Sequence, residues 1–180
     1  MKSKTIAISA ISAALTAIFL VIGSYLTVSD VFCTIISSVF VIIPLAINSY
    51  KGSFLAYLVG GAIGVIACLP TFAFSFVIPA YFTFFGIYPI IKNILIKTKL
   101  KVFLRFFIGC VWCVAIIYGL YFYYTLIMGL SLADLPSFIS DAILYLLAPI
   151  AIIFFVIYDR FLHVAKALLE RYLYRFIREN

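Results

Sequence analysis

Long apolar runs separated by short polar interruptions set the pattern of this chain. Spanning a hydrocarbon core of about 30 Å takes roughly 20 mostly apolar residues in a helix. The first run, 5–26, follows Lys2 and Lys4. It is long for the apolar part of a signal peptide, and no small-x-small cleavage site precedes Asp30, so it reads as an uncleaved helix. A break at Thr27-Val28-Ser29-Asp30 leads to a second run, 31–49, and Tyr50-Lys51-Gly52-Ser53 reads as a tight turn. From Phe54 to Ile91 there is no charge, nearly twice the length of one crossing. Pro70, followed by Thr71, divides it, because proline breaks the helix ladder and disfavours helix at the residue before it. This gives helices over 53–69 and 72–91. A basic stretch, Lys92 to Lys101, precedes a fifth helix over 102–129. A loop holding Asp134 and Pro136 precedes a sixth over 138–158.

Charge tests that count. If the N-terminus is inside, the segments after helices two, four and six are cytoplasmic. All 13 Lys and Arg then lie inside, and the outer connections carry Asp30, Asp134 and Asp141 with no basic residue. The positive-inside bias therefore predicts an all-α polytopic protein. It has a six-helix transmembrane domain over 1–158, both termini cytoplasmic, and a tail over 159–180. Joining helices three and four into one crossing would put the later basic loop and the tail on opposite sides.

Composition agrees. Hydrophobic residues make up 67% and charged residues 11%, an excess too large for the core of a small soluble globule. A soluble enzyme, a nucleic-acid-binding domain and a disordered chain are poor readings. In this setting the net charge of +7 reports orientation, with no nucleic-acid partner implied. Cys33, Cys68, Cys110 and Cys113 lie within apolar runs, unlike the cysteines of a secreted disulfide scaffold.

In the tail, Phe161, Leu162, Ala165, Leu168, Leu169, Tyr172, Leu173, Phe176 and Ile177 recur with helical spacing. Arg160, His163, Lys166, Glu170, Arg171, Arg175 and Arg178 take the other face. The pattern fits an amphipathic helix in the inner interface, its basic stripe near anionic head groups. It also fits a plain extension of helix six.

Helix association in lipid depends on close approach, which small residues permit. Helix one carries Ala7, Ala10, Ala14 and Ala17 on one face, bordered by Ala13. Helix three carries Ser53, Ala56, Gly60, Gly64 and Ala67. Either stripe can serve packing inside the chain's own bundle. For helix one, docking to a partner is the alternative.

Chemistry inside a membrane needs polar groups at depth, and few are present. Asn48 follows Pro44 by four residues and can satisfy a carbonyl that the proline frees. His163, the only histidine, lies in the tail, which excludes a two-histidine metalloprotease site and argues against a Ser–His pair. No glycine-rich phosphate loop precedes a lysine, so any ATP hydrolysis belongs to another subunit. Cys110 and Cys113, one turn apart, have the redox spacing but sit deep in an apolar helix, where a thiolate is disfavoured. Pro79 and Pro149 predict kinks. No catalytic residue, metal or cofactor is expected.

A ligand has one natural place. The outer halves of helices four to six carry Phe72, Phe74, Phe76, Tyr81, Tyr118, Tyr121, Phe122, Tyr123, Tyr124 and Tyr145, with Asp30, Asp134 and Asp141 above them. From these, Asp30, Phe76, Tyr81, Tyr118, Tyr121, Asp141 and Tyr145 are the candidate binding residues. An aromatic, acidic, cation-free end suits a small neutral or cationic planar molecule. The same residues also fit a lipid-facing aromatic belt.

Size, six helices, a basic N-terminus and the Ala10-x-x-x-Ala14 and Ala13-x-x-x-Ala17 pairs resemble the substrate-binding S components of energy-coupling factor transporters. The resemblance covers the hydropathy of the whole chain, and its motif covers helix one. It implies a non-enzymatic substrate-capture subunit of the bacterial plasma membrane that imports a vitamin-like molecule. Helix one would dock on a transmembrane coupling subunit, which works with partner ATPases. The stretch Phe84-Phe85-Gly86-Ile87-Tyr88-Pro89-Ile90-Ile91-Lys92 is also similar to a Phe-Phe-Gly-aromatic-Pro-x-x-Lys signature of uncharacterised six-helix membrane proteins of Gram-positive bacteria. That likeness implies no transport, and it leaves open a structural or regulatory interaction role.

Overall fold

The structure, a computed structural model, describes residues 3–26, 29–69, 76–98, 101–128 and 137–178; side chains 124, 127–128, 137–144 and 174–178 fall outside the description. Every described element is a helix: α1 (Ser3–Tyr25), α2 (Asp30–Ala46), α3 (Tyr50–Ala67), α4 (Val77–Ala80), α5 (Tyr88–Lys97), α6 (Val102–Met128) and α7 (Ser137–Arg178). A π-helical turn, Tyr81–Phe85, joins α4 to α5. Among the described residues, five helical stretches are long and apolar enough to cross a membrane: Ser3–Tyr25, Tyr50–Ala67, Val77–Lys97, Val102–Tyr123 and Tyr145–Leu173. α2 is apolar but has 17 residues. The expected breaks at Pro70-Thr71 and at Asp134–Pro136 lie outside the described residues.

Large apolar side chains face outward along these helices. Ile66 is 69% exposed, Phe103 79% and Leu126 83%. Exposed apolar surface on this scale marks a lipid-facing exterior, so the chain is a membrane protein whose described elements are all helical.

The chain divides into two compact units, Met1–Thr98 with Phe161–Asn180, and Lys99–Arg160. In the first, α1 packs on both α2 and α3. Its buried face is made mostly of small residues, with one large one, Leu20: Ser9, Ser12, Ala13, Thr16, Ala17, Leu20, Gly23 and Ser24. The buried residues of α3 are Gly52, Ser53, Ala56, Tyr57, Gly60, Gly61 and Gly64, of which Gly60 and Gly64 meet α1. The glycines let the backbones meet: a Cβ at Gly60 would lie 2.9 Å from the Ala13 carbonyl oxygen and 2.9 Å from Thr16 Cβ. The helix-three stripe thus serves internal packing through Ser53, Ala56, Gly60 and Gly64, while its last member, Ala67, is exposed. Ser53 Oγ donates to the Val41 carbonyl on α2 (2.6 Å), and Thr16 Oγ1 reaches the Ser37 carbonyl (3.5 Å). Ser9, Ser12 and Thr34 return their hydroxyls to the carbonyl four residues back, which satisfies them without a partner helix.

The turn between α2 and α3 is not at Tyr50–Ser53. Asn48 takes the left-handed conformation (φ 57°), and the Ser49 amide donates to the Pro44 carbonyl (2.9 Å). This is a Schellman-type stop, for which asparagine is suited. Asn48 therefore closes α2 with its backbone, and its side chain is exposed. Ser49 Oγ accepts from the Gly52 amide (3.2 Å) and caps α3. The four residues expected to turn instead form the first turn of α3.

Past Pro79 the helix widens: Gly86 N–H donates to the Tyr81 carbonyl (2.8 Å), five residues back. The expected kink takes this form. Tyr57 Oη donates to the Phe82 carbonyl (3.0 Å) and Tyr81 Oη to the Tyr57 carbonyl (3.2 Å), so the two tyrosines cross-link α3 to the π turn. A Cβ at Gly86 would sit 2.6 Å from Tyr57 Cδ2.

In the second unit Phe106 of α6 packs on Phe155 of α7, ring centroids 5.4 Å apart. Cys113 Sγ lies 3.9 Å from the Ala151 carbonyl oxygen, and Cys110 and Cys113 are both free thiols. α7 runs unbroken from Ser137 to Arg178, so the tail continues the preceding helix.

Candidate functional site

The residues expected to bind a ligand fall in both units. Asp30, Phe76 and Tyr81 belong to the first; Tyr118, Tyr121 and Tyr145 belong to the second, as does Asp141, whose side chain lies outside the described residues. Tyr81 is fully buried, its ring 5.5 Å from that of Tyr57 and its hydroxyl used by the Tyr57 carbonyl. Its aromatic face is consumed by packing and is not open to a ligand. Phe76 is half-buried just ahead of α4. Tyr121 makes an edge contact with Phe122, and Tyr145 is 79% exposed. Phe72 and Phe74 lie outside the described residues.

Asp30 opens α2, where an acid meets the positive end of the helix dipole. Its Oδ1 is buried without a hydrogen-bond partner among the described residues. Such an oxygen gains from any donor or cation brought to it.

The alanines of α1 divide. Ala13 and Ala17 are buried, 4% and 6% exposed, whereas Ala7, Ala10 and Ala14 are exposed. The expected single face is therefore two. With offsets of three, four and three, the stripe averages less than 3.6 residues per turn and winds around the helix. Its last member, Ala17, has reached the packed side. Ala10-x-x-x-Ala14 is left uncovered, beside the exposed Ile11 and Ile18.

A third group was not visible in the sequence. At the Leu45 end of α2, away from Asp30, a shallow cleft of about 310 Å³, counted to its open mouth, is lined by Ile42, Leu45, Pro89, Lys92, Asn93, Ile96, Leu162, His163 and Lys166. Asn93 is 5% exposed. Its Oδ1 accepts from Lys166 Nζ, and its Nδ2 donates to Tyr50 Oη (3.0 Å). Because an ammonium can only donate, the amide oxygen must face Lys166, and this fixes the amide's orientation. Lys166 Nζ also lies 3.4 Å from Glu170 Oε1, and Lys97 Nζ stands 4.3 Å from the centre of the Tyr50 ring.

In the last helical segment the two expected sets of residues do not separate into one buried and one exposed face. Leu162 is buried, and Lys166 and His163 turn toward the cleft, while Phe161, Leu168 and Tyr172 of the expected apolar stripe are exposed. Asn93 offered one signal, as the single amide inside a lysine-rich stretch. Its partners at positions 50 and 166 could not be read from spacing. The chain matches no family model, and no curated protein or solved structure shows significant similarity to it.

Proposed function

We propose that this chain is a non-enzymatic, substrate-capturing subunit of a membrane importer. It crosses a bacterial plasma membrane six times with both ends in the cytoplasm, and it docks on a transmembrane coupling subunit through Ala7, Ala10 and Ala14. The carrying observation is that one of the two Ala-x-x-x-Ala pairs on α1 is spent on internal packing, whereas the other lies open. An uncovered small-residue patch offers a partner helix the close approach that association in lipid requires.

Six crossings need α2 to span. Its 17 residues rise about 26 Å at 1.5 Å each, a few ångströms short of the core, and a mismatch of that size costs little. This count keeps every Lys and Arg on one side.

The captured molecule is small and neutral or cationic, and Asp30 is its anchor. The expected result is a rise in melting temperature of the purified protein with one member of a panel of vitamins, amines and nucleobases, since a ligand bound only to the folded state stabilises it. Asp30→Asn should keep the fold and weaken a cationic ligand at least tenfold. No shift with any compound would remove the capture role.

A non-transporting structural or regulatory protein is the second reading. The polar network at the basic end favours it, since Lys166, Asn93 and Tyr50 are ordered there away from Asp30.

A further inference from the structure

We propose that the cleft between α2, α5 and the last turns of α7 binds a phosphate group. Three observations converge. Lys92, His163 and Lys166 line one cleft, with Glu170 as the acidic group paired to Lys166. Lys97 stands close by on Tyr50.

The second observation is that the key cation is already held in place. Lys166 Nζ has three N–H groups; one goes to the buried oxygen of Asn93 and one points to Glu170. The third has no partner among the described residues. Asn93 is anchored in turn by Tyr50, so an ordinarily flexible lysine is oriented before any ligand arrives. Pre-ordering of this kind removes part of the entropy cost of binding. A phosphate oxygen suits the remaining donor, since charge-assisted bonds to phosphate are among the stronger hydrogen bonds in proteins.

The third observation is the rest of the wall. Ile42, Leu45, Pro89, Ile96 and Leu162 make it apolar beside the cations. An apolar wall beside a cationic rim fits the boundary between head group and acyl chain, where basic pockets between membrane helices take anionic lipid heads. A free phosphate or phosphate monoester offers the same oxygens without the chains. Both sources share the proposed chemistry, and the experiment separates them.

The full chain is purified and placed in bilayer discs of zwitterionic lipid. Phosphatidylglycerol is then added to one series and inorganic phosphate to another, with melting temperature and bound lipid measured. The expected result is a saturable rise in melting temperature with at least one of them. Response to phosphatidylglycerol alone assigns a lipid head, and response to inorganic phosphate assigns a soluble ligand. Lys166→Gln should weaken the response about tenfold, whereas Lys166→Arg should retain most of it. If Lys166→Gln does not fold, Lys92→Gln, which leaves the Asn93 network intact, carries the same expectation. Lys51→Gln, at an exposed lysine outside the cleft, should leave the response unchanged. No response to either addition overturns the proposal. So does a response lowered equally by Lys51→Gln, which would reflect net charge.

Discussion

Gly60→Leu is expected to prevent the first unit from folding, giving aggregated protein in detergent where the parent chain is monodisperse. The side chain would have to start 2.9 Å from the Ala13 carbonyl oxygen, on the backbone of the neighbouring helix. A flexible side chain could yield, but a helix backbone moves only by separating α1 from α3. Overpacking typically costs about 1–3 kcal/mol, and this site should exceed that range because no rotamer clears the clash. In lipid there is little hydrophobic drive to hold loosened helices together, so contact once lost is not recovered elsewhere. Gly119→Leu is the matched control. Nothing lies within 4 Å of a Cβ at that position, and the melting temperature should hardly change. Equal damage from both substitutions would contradict the packing described for α1 and α3.

The second large effect concerns association. Ala10→Leu combined with Ala14→Leu should abolish co-purification with a transmembrane coupling partner from native membranes, while the isolated chain keeps its melting temperature. Both alanines are exposed, so larger side chains meet lipid and no part of the chain's own core. Ala13→Leu with Ala17→Leu should instead damage the fold, because those positions are buried against neighbouring helices. The two pairs separate docking from folding on one helix. Unchanged co-purification with the Ala10 and Ala14 pair replaced would remove the docking role.

Hydropathy made the helices legible, since runs of apolar residues at membrane length have few other uses. It could not say which way each face points. In α1 the inward face carries Ser9, Ser12, Thr16 and Ser24. Small hydroxyl residues can bond to their own helix and so mark neither side by themselves, and alanines at 7, 10, 13, 14 and 17 leave the buried side ambiguous. Only contacts resolve them. The turn after α2 was misplaced for a local reason. Tyr-Lys-Gly-Ser has the composition of a turn, yet Asn48 in the left-handed conformation and the Ser49 cap stop one helix and start the next just before it.

Tyr81 looked like a ligand residue because aromatics near a membrane interface often are. Its hydroxyl and ring are instead used in bonding to Tyr57. The basic cleft was hidden because it is built from the end of α2, from α5 and from the far part of α7, with Tyr50 at the start of α3 holding Asn93. Tyr50, Asn93 and Lys166 have no sequence spacing that relates them, and their meeting is a product of the tertiary fold. The lysines of this region bear on orientation, but their count says nothing of which of them are held in place.

The disposition of the chain across the bilayer is the claim on which the rest depends. Reporter fusions placed after Ser29, Lys51, Lys97, Met128 and Arg171 test it most directly. The account predicts that the reporters at Lys51, Lys97 and Arg171 all lie on the cytoplasmic side and those at Ser29 and Met128 on the other. A reporter at Lys97 on the side opposite to that at Arg171, or at Ser29 on the same side as that at Lys51, would contradict it.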